Sequence, residues 1–319
     1  MPERTLVTGA LGCIGAWTIK ALFDRGEEPV GYDLGSDPRR LRLILDADEL
    51  ARVTLVAGDI ADPGALGRAL DEHEITNVVH LAALQVPFCR ENPALGAHVN
   101  VLGTVTVFEA VKARGDRISG LAYASSTAVY NASDPSPAPE SGGNEPRTLY
   151  GVYKLANEGT ARLYWQDAGV PSIGIRPYVV YGPGRDQGMT SGPTLAMDAA
   201  ARGEGFTIGF GGTVQYDYAA DVGEAFARAS RVASEGAHVA NFPGVAASME
   251  EVVAAIEAAV PEVAGKITWS DAPLPFPDRL EATRLEQFVG ELPRTPLAEG
   301  VRRTVEYFRA ASSMTGGRR

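Results

Sequence analysis

Only two cysteines and four histidines occur among the 319 residues, and both scarcities exclude chemistry. Cys13 and Cys89 cannot build a disulfide framework, and neither they nor His73, His80, His98 and His238 have metal-ligand spacing. No metal is therefore expected, and the histidines are read as packing or surface residues. Positive charge is also short: 29 Lys and Arg stand against 40 Asp and Glu, a formal net charge of −11 with a pI near 5.0. A surface of that sign repels phosphate backbones and anionic headgroups, so neither nucleic acid nor a membrane is expected as a partner. No uninterrupted apolar run approaches about 18 residues, and MPERTLVTGA lacks the basic segment and apolar core of a secretory leader. The cytoplasm is the expected compartment. No internal repeat is evident.

Hydrophobic residues make up 45% of the chain, enough for a large core in two lobes. The most informative glycines are Gly9, Gly12 and Gly15. Residues 5–8 are a short β-prone run, 9–12 force a tight turn, and 13–25 read as a helix with apolar Ile14, Trp17, Ile19, Leu22 and Phe23. Bare N–H groups and the positive end of the helix dipole face the turn, where a pyrophosphate fits if glycine lets its oxygens approach. Gly15 lets the helix pack close to the strand. The spacing is GxxGxxG, and by itself it is equally a piece of structural punctuation. The next strand, 29–32, gives it meaning by ending at Asp33, about 20 residues on, where a carboxylate accepts from ribose hydroxyls. That charge repels a 2′-phosphate and selects NAD over NADP. Arg39 and Arg40, which would argue for NADP, are read as solvated helix residues. Cys13 is read as a small residue packed beneath the cofactor.

Strands and helices alternate for about 180 residues, which implies a doubly wound parallel sheet with helices on both faces, an α/β Rossmann-type fold. Further strands are expected at 52–57, 77–81, 120–124 and 172–176, and helices at 64–73, 93–114 and 149–168. Gly9, Asp33, Asp59, Ala82, Ser125-Ser126 and Arg176 then fall at carboxyl ends of strands, where such sheets gather ligands. Residues 1–181 read as the nucleotide-binding domain, with 215–245 returning to it, and 182–319 as mainly a smaller substrate-binding lobe. In the latter, helices are expected at 192–202, 221–233, 248–260 and 296–311, and strands at 206–209, 216–220 and 239–242. Ser248 and Glu251 have capping-box spacing, and the SMTGGRR ending is expected to be a disordered tail.

Tyr150 and Lys154 are four residues apart in LYGVYKLANEG, so both project from one helix face. A neighbouring ammonium and a bound nicotinamidium favour the phenolate, making a general base suited to taking a hydroxyl proton. Ser126, at the end of the preceding strand, can hydrogen-bond the same substrate oxygen. Tyr153 is the rival base, but it adjoins Lys154 and so points elsewhere.

The segments TGALGCIG, Asp33, GDI at 58–60, LAA at 81–83, SSTAVY, YGVYK and RPYVVYGPG together resemble the extended short-chain dehydrogenase/reductases, the NAD-dependent epimerase/dehydratase family, over most of the first 185 residues. The resemblance implies NAD, a Rossmann lobe, and a smaller lobe closing over a carbohydrate-like substrate. It makes Ser126, Tyr150 and Lys154 catalytic, with Lys154 also on the nicotinamide ribose. It places Gly9, Gly12, Cys13, Ile14 and Gly15 at the pyrophosphate, Asp33 at the ribose, Asp59 and Ile60 at the adenine, and Leu81, Ala82, Ala83, Asn100 and Pro177 along the cofactor. Gln85, Thr127, Tyr178 and Arg185 are implied for the substrate, beside Ser126 and Tyr150. Extended members commonly form homodimers through two helices, here 93–114 and 149–168.

Departures from the family pattern narrow the reaction. Members that dehydrate or decarboxylate carry acidic residues after the catalytic Ser or Thr, where this chain has Thr127 and Ala128. Arginines that clamp a nucleotide pyrophosphate have no convincing match in GTVQYDYAADV or PLPFPDRLEAT, Arg279 being the nearest candidate, and Val179 replaces a usual asparagine. An epimerase must hold a ketone while it turns. Without a clamp the expected activity is an NAD-dependent dehydrogenase acting on a secondary alcohol of a sugar, polyol or sugar acid, with Arg176 or Arg185 facing a carboxylate. The alternative is a sugar or nucleotide-sugar epimerase with no net redox change. A non-catalytic NAD sensor typically lacks the Tyr and Lys pair.

Overall fold

The computed structural model of the protein describes residues 3–143 and 145–316. Near-continuous apolar runs such as Leu6-Val7 and Val78-Val79 make strands that are buried on both faces, as a parallel sheet requires. Seven strands form it: β1 (Thr5–Thr8), β2 (Val30–Asp33), β3 (Thr54–Ala57), β4 (Asn77–His80), β5 (Gly120–Ala124), β6 (Ser172–Arg176) and, much later, one at Ala237–Asn241. Their spatial order, from the late strand inward, is Ala237–Asn241, β6, β5, β4, β1, β2, β3, all parallel. Leu6 stands opposite Val30 on one side and Val78 on the other. The order reverses between β1 and β4, which opens a crevice beyond their carboxyl ends.

The remaining strands build smaller sheets. β7 (Val179–Tyr181), β8 (Phe206–Ile208) and β9 (Thr213–Tyr218) precede the late strand, which is β10; β11 (Val245–Ser248) and β12 (Ile267–Trp269) follow it. β9 lies between β7 and β11, and β8 pairs with β12. A second apolar cluster fills this region, with Met197, Phe210, Tyr216, Val252, Ile256 and Val301 buried together. Of residues 215–245, expected to return to the nucleotide-binding domain, helix Ala219–Ala229 packs into that domain's apolar cluster beside Trp17 and Leu22, and β10 joins the main sheet. β9 pairs in the smaller sheet instead.

The helix expected at 93–114 is in three pieces: Pro93–Ala97, a wider π-helical turn His98–Leu102, and Gly103–Lys112. By length and composition the stretch Pro93–Lys112 is apolar enough to cross a membrane, which a count of uninterrupted apolar residues did not bring out, and half of it is buried inside the protein. A short helix at Val86–Glu91 precedes it, unanticipated. The final helix runs over Leu297–Gly316, so residues 313–316 continue the helix where a tail was expected, and 317–319 lie outside the described residues. Helix Leu149–Ala168 is capped by the Thr148 hydroxyl, which accepts from Gly151 N, and ends at Gly169 in the left-handed region.

Candidate active site

A cavity of about 680 Å³ opens at the carboxyl ends of the strands that flank the reversal point. Its floor is the glycine turn. Gly9 has φ +68°, and a Cβ there would lie 2.7 Å from Ala82 N; a Cβ on Gly15 would lie 2.2 Å from the Gly9 carbonyl oxygen. Side chains are thus excluded by the backbone itself. Helix Cys13–Asp24 starts at Gly12 with no side-chain cap and no acidic residue in its first turn, so its first N–H groups are left for an anionic ligand. This bare helix start and the side-chain-free cradle fit the pyrophosphate of a dinucleotide.

Asp33 stands at the next strand end, accepting from Leu11 N at 3.0 Å and Gly35 N at 2.9 Å. The same wall carries Asp59 and Ile60, and the Tyr32 hydroxyl donates to the Asp59 carbonyl at 2.9 Å. Leu81, Ala82 and Ala83 line the opposite side, with the Leu81 and Ala82 N–H groups held by the Thr8 hydroxyl. Cys13, Ile14 and Pro177 also face the cavity. Burial pushes the Cys13 thiol up to about 12, which keeps it protonated and inert.

Asn100, read as a cofactor contact, is not in the lining. It is buried in the π-helical turn, where its side-chain amide donates to the Leu84 carbonyl and its side-chain oxygen accepts from Leu84 N. Its backbone carbonyl accepts from Thr104 Oγ1 and Asn157 Nδ2. The wider turn frees that carbonyl for a second helix, and Asn100 therefore braces the cavity wall from behind.

Ser126, Tyr150 and Lys154 meet at the far end. The Ser126 hydroxyl accepts from Ala128 N at 3.1 Å, and Ser126 and Tyr150 both face the cavity. Lys154 Nζ donates to the Ala124 carbonyl at 2.6 Å and lies 5.5 Å from the centre of the Tyr150 ring. Burial lowers Lys154 to about 8, opposed by Cys89 and Glu158. Burial raises the Tyr150 hydroxyl, offset by the nearby Ser126 hydroxyl and by the charge of Arg185. Tyr153 donates to the Pro93 carbonyl at 2.9 Å, away from the cavity.

Gln85, Thr127, Tyr178 and Arg185 all line this end. Thr127 donates its hydroxyl to the Pro177 carbonyl, and Tyr178 donates its own to the Pro277 carbonyl, so both are already committed. Gln85 Oε1 and Arg185 Nε, by contrast, are buried without a partner. Arg185 Nη2 donates only to Thr190 at 3.2 Å, and the guanidinium forms no ion pair among the described residues. Arg176, the other expected carboxylate partner, is spoken for: it pairs with Glu158 at 2.7 Å and donates to Tyr130 and to the Glu140 and Gly142 carbonyls behind the sheet. Arg279 is exposed and outside the lining.

Arg40 corrects a further expectation. It is no solvated residue but a bridge that donates to the carbonyls of Gly184 and Leu11 and to Asp186. Its partner Gly184 lies 144 positions away in sequence, so nothing local announced it.

Comparison with known proteins agrees with this geometry. A family model described as "NAD dependent epimerase/dehydratase family" matches residues 5–242. A UDP-glucose 4-epimerase of Mycolicibacterium smegmatis is 32% identical, with 97% of this chain and 99% of that protein covered. A probable UDP-glucuronate 4-epimerase of Rhizobium meliloti is 30% identical over 96% of both. Among solved structures, the Thermus thermophilus UDP-glucose 4-epimerase in complex with NAD is 29% identical with a TM-score of 0.81, covering 97% of this chain and all of that one. A partial-consensus L-threonine 3-dehydrogenase shares the fold at 23% identity and a TM-score of 0.84, again over 97% of this chain and all of that one.

Proposed function

The chain belongs to the NAD dependent epimerase/dehydratase family, an NAD-dependent enzyme, and from that premise we propose that it oxidises a secondary alcohol on a small carbohydrate-like acid. The observation that carries the acid is Arg185: a cation beside Tyr150 whose Nε is buried with no partner, a costly arrangement unless an anion completes it. A substrate carboxylate would take that donor, and its neighbour Gln85 would hold a hydroxyl.

In this reading NAD lies over Gly9, Gly12, Cys13, Ile14 and Gly15, against Asp33, Asp59, Ile60, Leu81, Ala82, Ala83 and Pro177, and when bound it accepts a hydride. The chain does the rest. Ser126 and Tyr150 orient the reacting hydroxyl, and Tyr150 takes its proton, with the nearby charges of Lys154 and Arg185 favouring the phenolate. Asp33 disfavours a 2′-phosphate. Residues 1–181 with β10 serve the cofactor, and 182–319 serve mainly the substrate.

Net dehydrogenation is the first reading because, beyond residue 190, Phe276 alone lines the cavity among the described residues, leaving no arginine there to clamp a nucleotide. Epimerisation is the second, favoured by the full-length relatives of that activity. The test is incubation with NAD and matched panels of sugar acids, neutral sugars and nucleotide sugars, following NADH and product stereochemistry. Stoichiometric NADH from an acid supports the first reading; an inverted sugar without NADH supports the second. Arg185→Leu should raise KM at least about tenfold for the acid and leave the KM of the neutral analogue unchanged, while turnover of both falls with the lost charge beside Tyr150; equal effects on the two KM values would refute the carboxylate. Tyr150→Phe should lose about 10²- to 10⁴-fold in turnover.

We further propose a homodimer through the two helical stretches at Pro93–Lys112 and Leu149–Ala168. Leu95, Leu102, Leu149, Val152 and Leu163 are exposed there, a larger apolar display than a lone surface needs. Sedimentation of the wild type against Val152→Glu checks it.

A further inference from the structure

The segment that presents Arg185 has few holds of its own. Gly184 and Gly188 take positive φ, and the chain between them is tied down mainly by groups from the cofactor side of the cleft. Pro183 O accepts from the Trp17 indole N–H at 2.9 Å. One residue before Arg185, the Gly184 carbonyl accepts from Arg40 Nε at 3.0 Å, and one residue after it Asp186 takes Arg40 Nη2 at 2.5 Å. The remaining arm of the same guanidinium, Nη1, donates to the Leu11 carbonyl at 2.8 Å. Leu11 belongs to the glycine turn, and its N–H is bonded to Asp33 at 3.0 Å. One arginine therefore joins the turn that would hold the pyrophosphate, and through Leu11 the carboxylate that would hold the ribose, to both neighbours of Arg185.

We propose that Arg40 is a positioning residue that makes the placement of Arg185 depend on whether the adenosine end of the cofactor is seated. The role of Arg185 in this proposal rests on the acid-binding reading above; the mechanical coupling does not. A ligand that fixes Asp33 and the glycine turn fixes both ends of the Leu11 peptide, and with them the acceptor of Arg40 Nη1. The charge-assisted bonds to Gly184 and Asp186 then hold residues 183–186. Only a rigid fork can reach three separate acceptors at once, so lysine is no substitute. By reciprocity, whatever orders that segment also strengthens adenosine binding. Arg39 shares Asp186 at 2.9 Å but contacts no part of the glycine turn, so it supports the segment without carrying the coupling.

The experiment uses ADP-ribose, which fills the adenosine and pyrophosphate positions and lacks the nicotinamide that would touch the substrate end directly. Amide exchange over residues 182–190 is followed with and without saturating ADP-ribose in wild type, Arg40→Ala, Arg40→Lys and Asp186→Asn, with ADP-ribose affinity checked by calorimetry. Exchange should slow at least about fivefold in wild type, and this slowing should vanish in Arg40→Ala and Arg40→Lys and shrink in Asp186→Asn. The partner-side variant carries the test if Arg40→Ala folds poorly. Absence of slowing in wild type, or its persistence in Arg40→Ala, overturns the proposal; full slowing in Arg40→Lys overturns the fork. No substrate is present in these measurements. An Arg185→Leu result that refutes the acid would leave their outcome unchanged.

Discussion

Lys154→Met should make the cofactor-free protein more stable while disabling it. Burial holds this lysine at about 8 against an ordinary 10.5, and each unit of pKa is worth about 1.4 kcal/mol. Folding the ammonium into this site at neutral pH thus costs about 3 kcal/mol relative to the neutral amine. Methionine fills similar space without the charge but gives up the bond to the Ala124 carbonyl, about 1 kcal/mol. The net expectation is a gain of about 2 kcal/mol in the variant below pH 8. The sign with pH follows from the folded pKa lying beneath the unfolded one. Between about 8 and 10.5 the unfolded chain keeps a proton that the folded chain has released, so wild-type stability rises with pH across that window. The advantage of Lys154→Met should be full below the window and reversed by about 1 kcal/mol, the lost hydrogen bond, at its upper end. Paired denaturation midpoints without NAD, taken through the window, measure it. A difference that does not change with pH, or a wild type that is the more stable below pH 8, would refute the reasoning. Loss of turnover in the same variant would mark the site as one where stability is given up for function.

Gly15→Ala should cost about 1–3 kcal/mol of stability by overpacking and weaken NAD, because its Cβ would sit 2.2 Å from the Gly9 carbonyl oxygen; calorimetry that finds unchanged NAD affinity would contradict the cradle. Glu158→Ala leaves the buried Arg176 charge unpaired, which should cost about 3–5 kcal/mol in chemical denaturation, and a loss below about 1 would be inconsistent with that burial. Burial raises the Asp217 carboxyl to about 7 from 3.8, so wild-type stability should fall as pH rises through that interval. The gain from Asp217→Asn should therefore grow over the same interval, and thermal melts showing a flat difference would disprove the assignment.

Much of the fold was legible because its signals are local. β1, β5, β6 and helix Leu149–Ala168 fall where the apolar runs and the glycine turn put them. The residues brought together in one cavity were equally readable, since strand ends in an alternating parallel sheet converge whatever the side chains do elsewhere. That Asn100 sits behind the cavity wall was not legible, because its turn widens to serve Asn157, a residue 57 positions later. Arg176 and Arg185, close in the chain and chemically identical, both stood in the sequence as carboxylate partners, with Arg185 alone placed at the substrate by the resemblance. Burial against Glu158 separated them.

By itself, then, the sequence determined the sheet, the dinucleotide cradle and the Ser126, Tyr150 and Lys154 set, because each depends on spacing within one strand-turn-helix unit or one helix face. Only the tertiary structure decided which charges are free. Arg176 is neutralised by Glu158, Arg40 is committed to Leu11, Gly184 and Asp186, and Arg185 is left with a donor unmet. A charge is free or spent according to what lies within a few ångströms of it, and those neighbours come from distant parts of the chain.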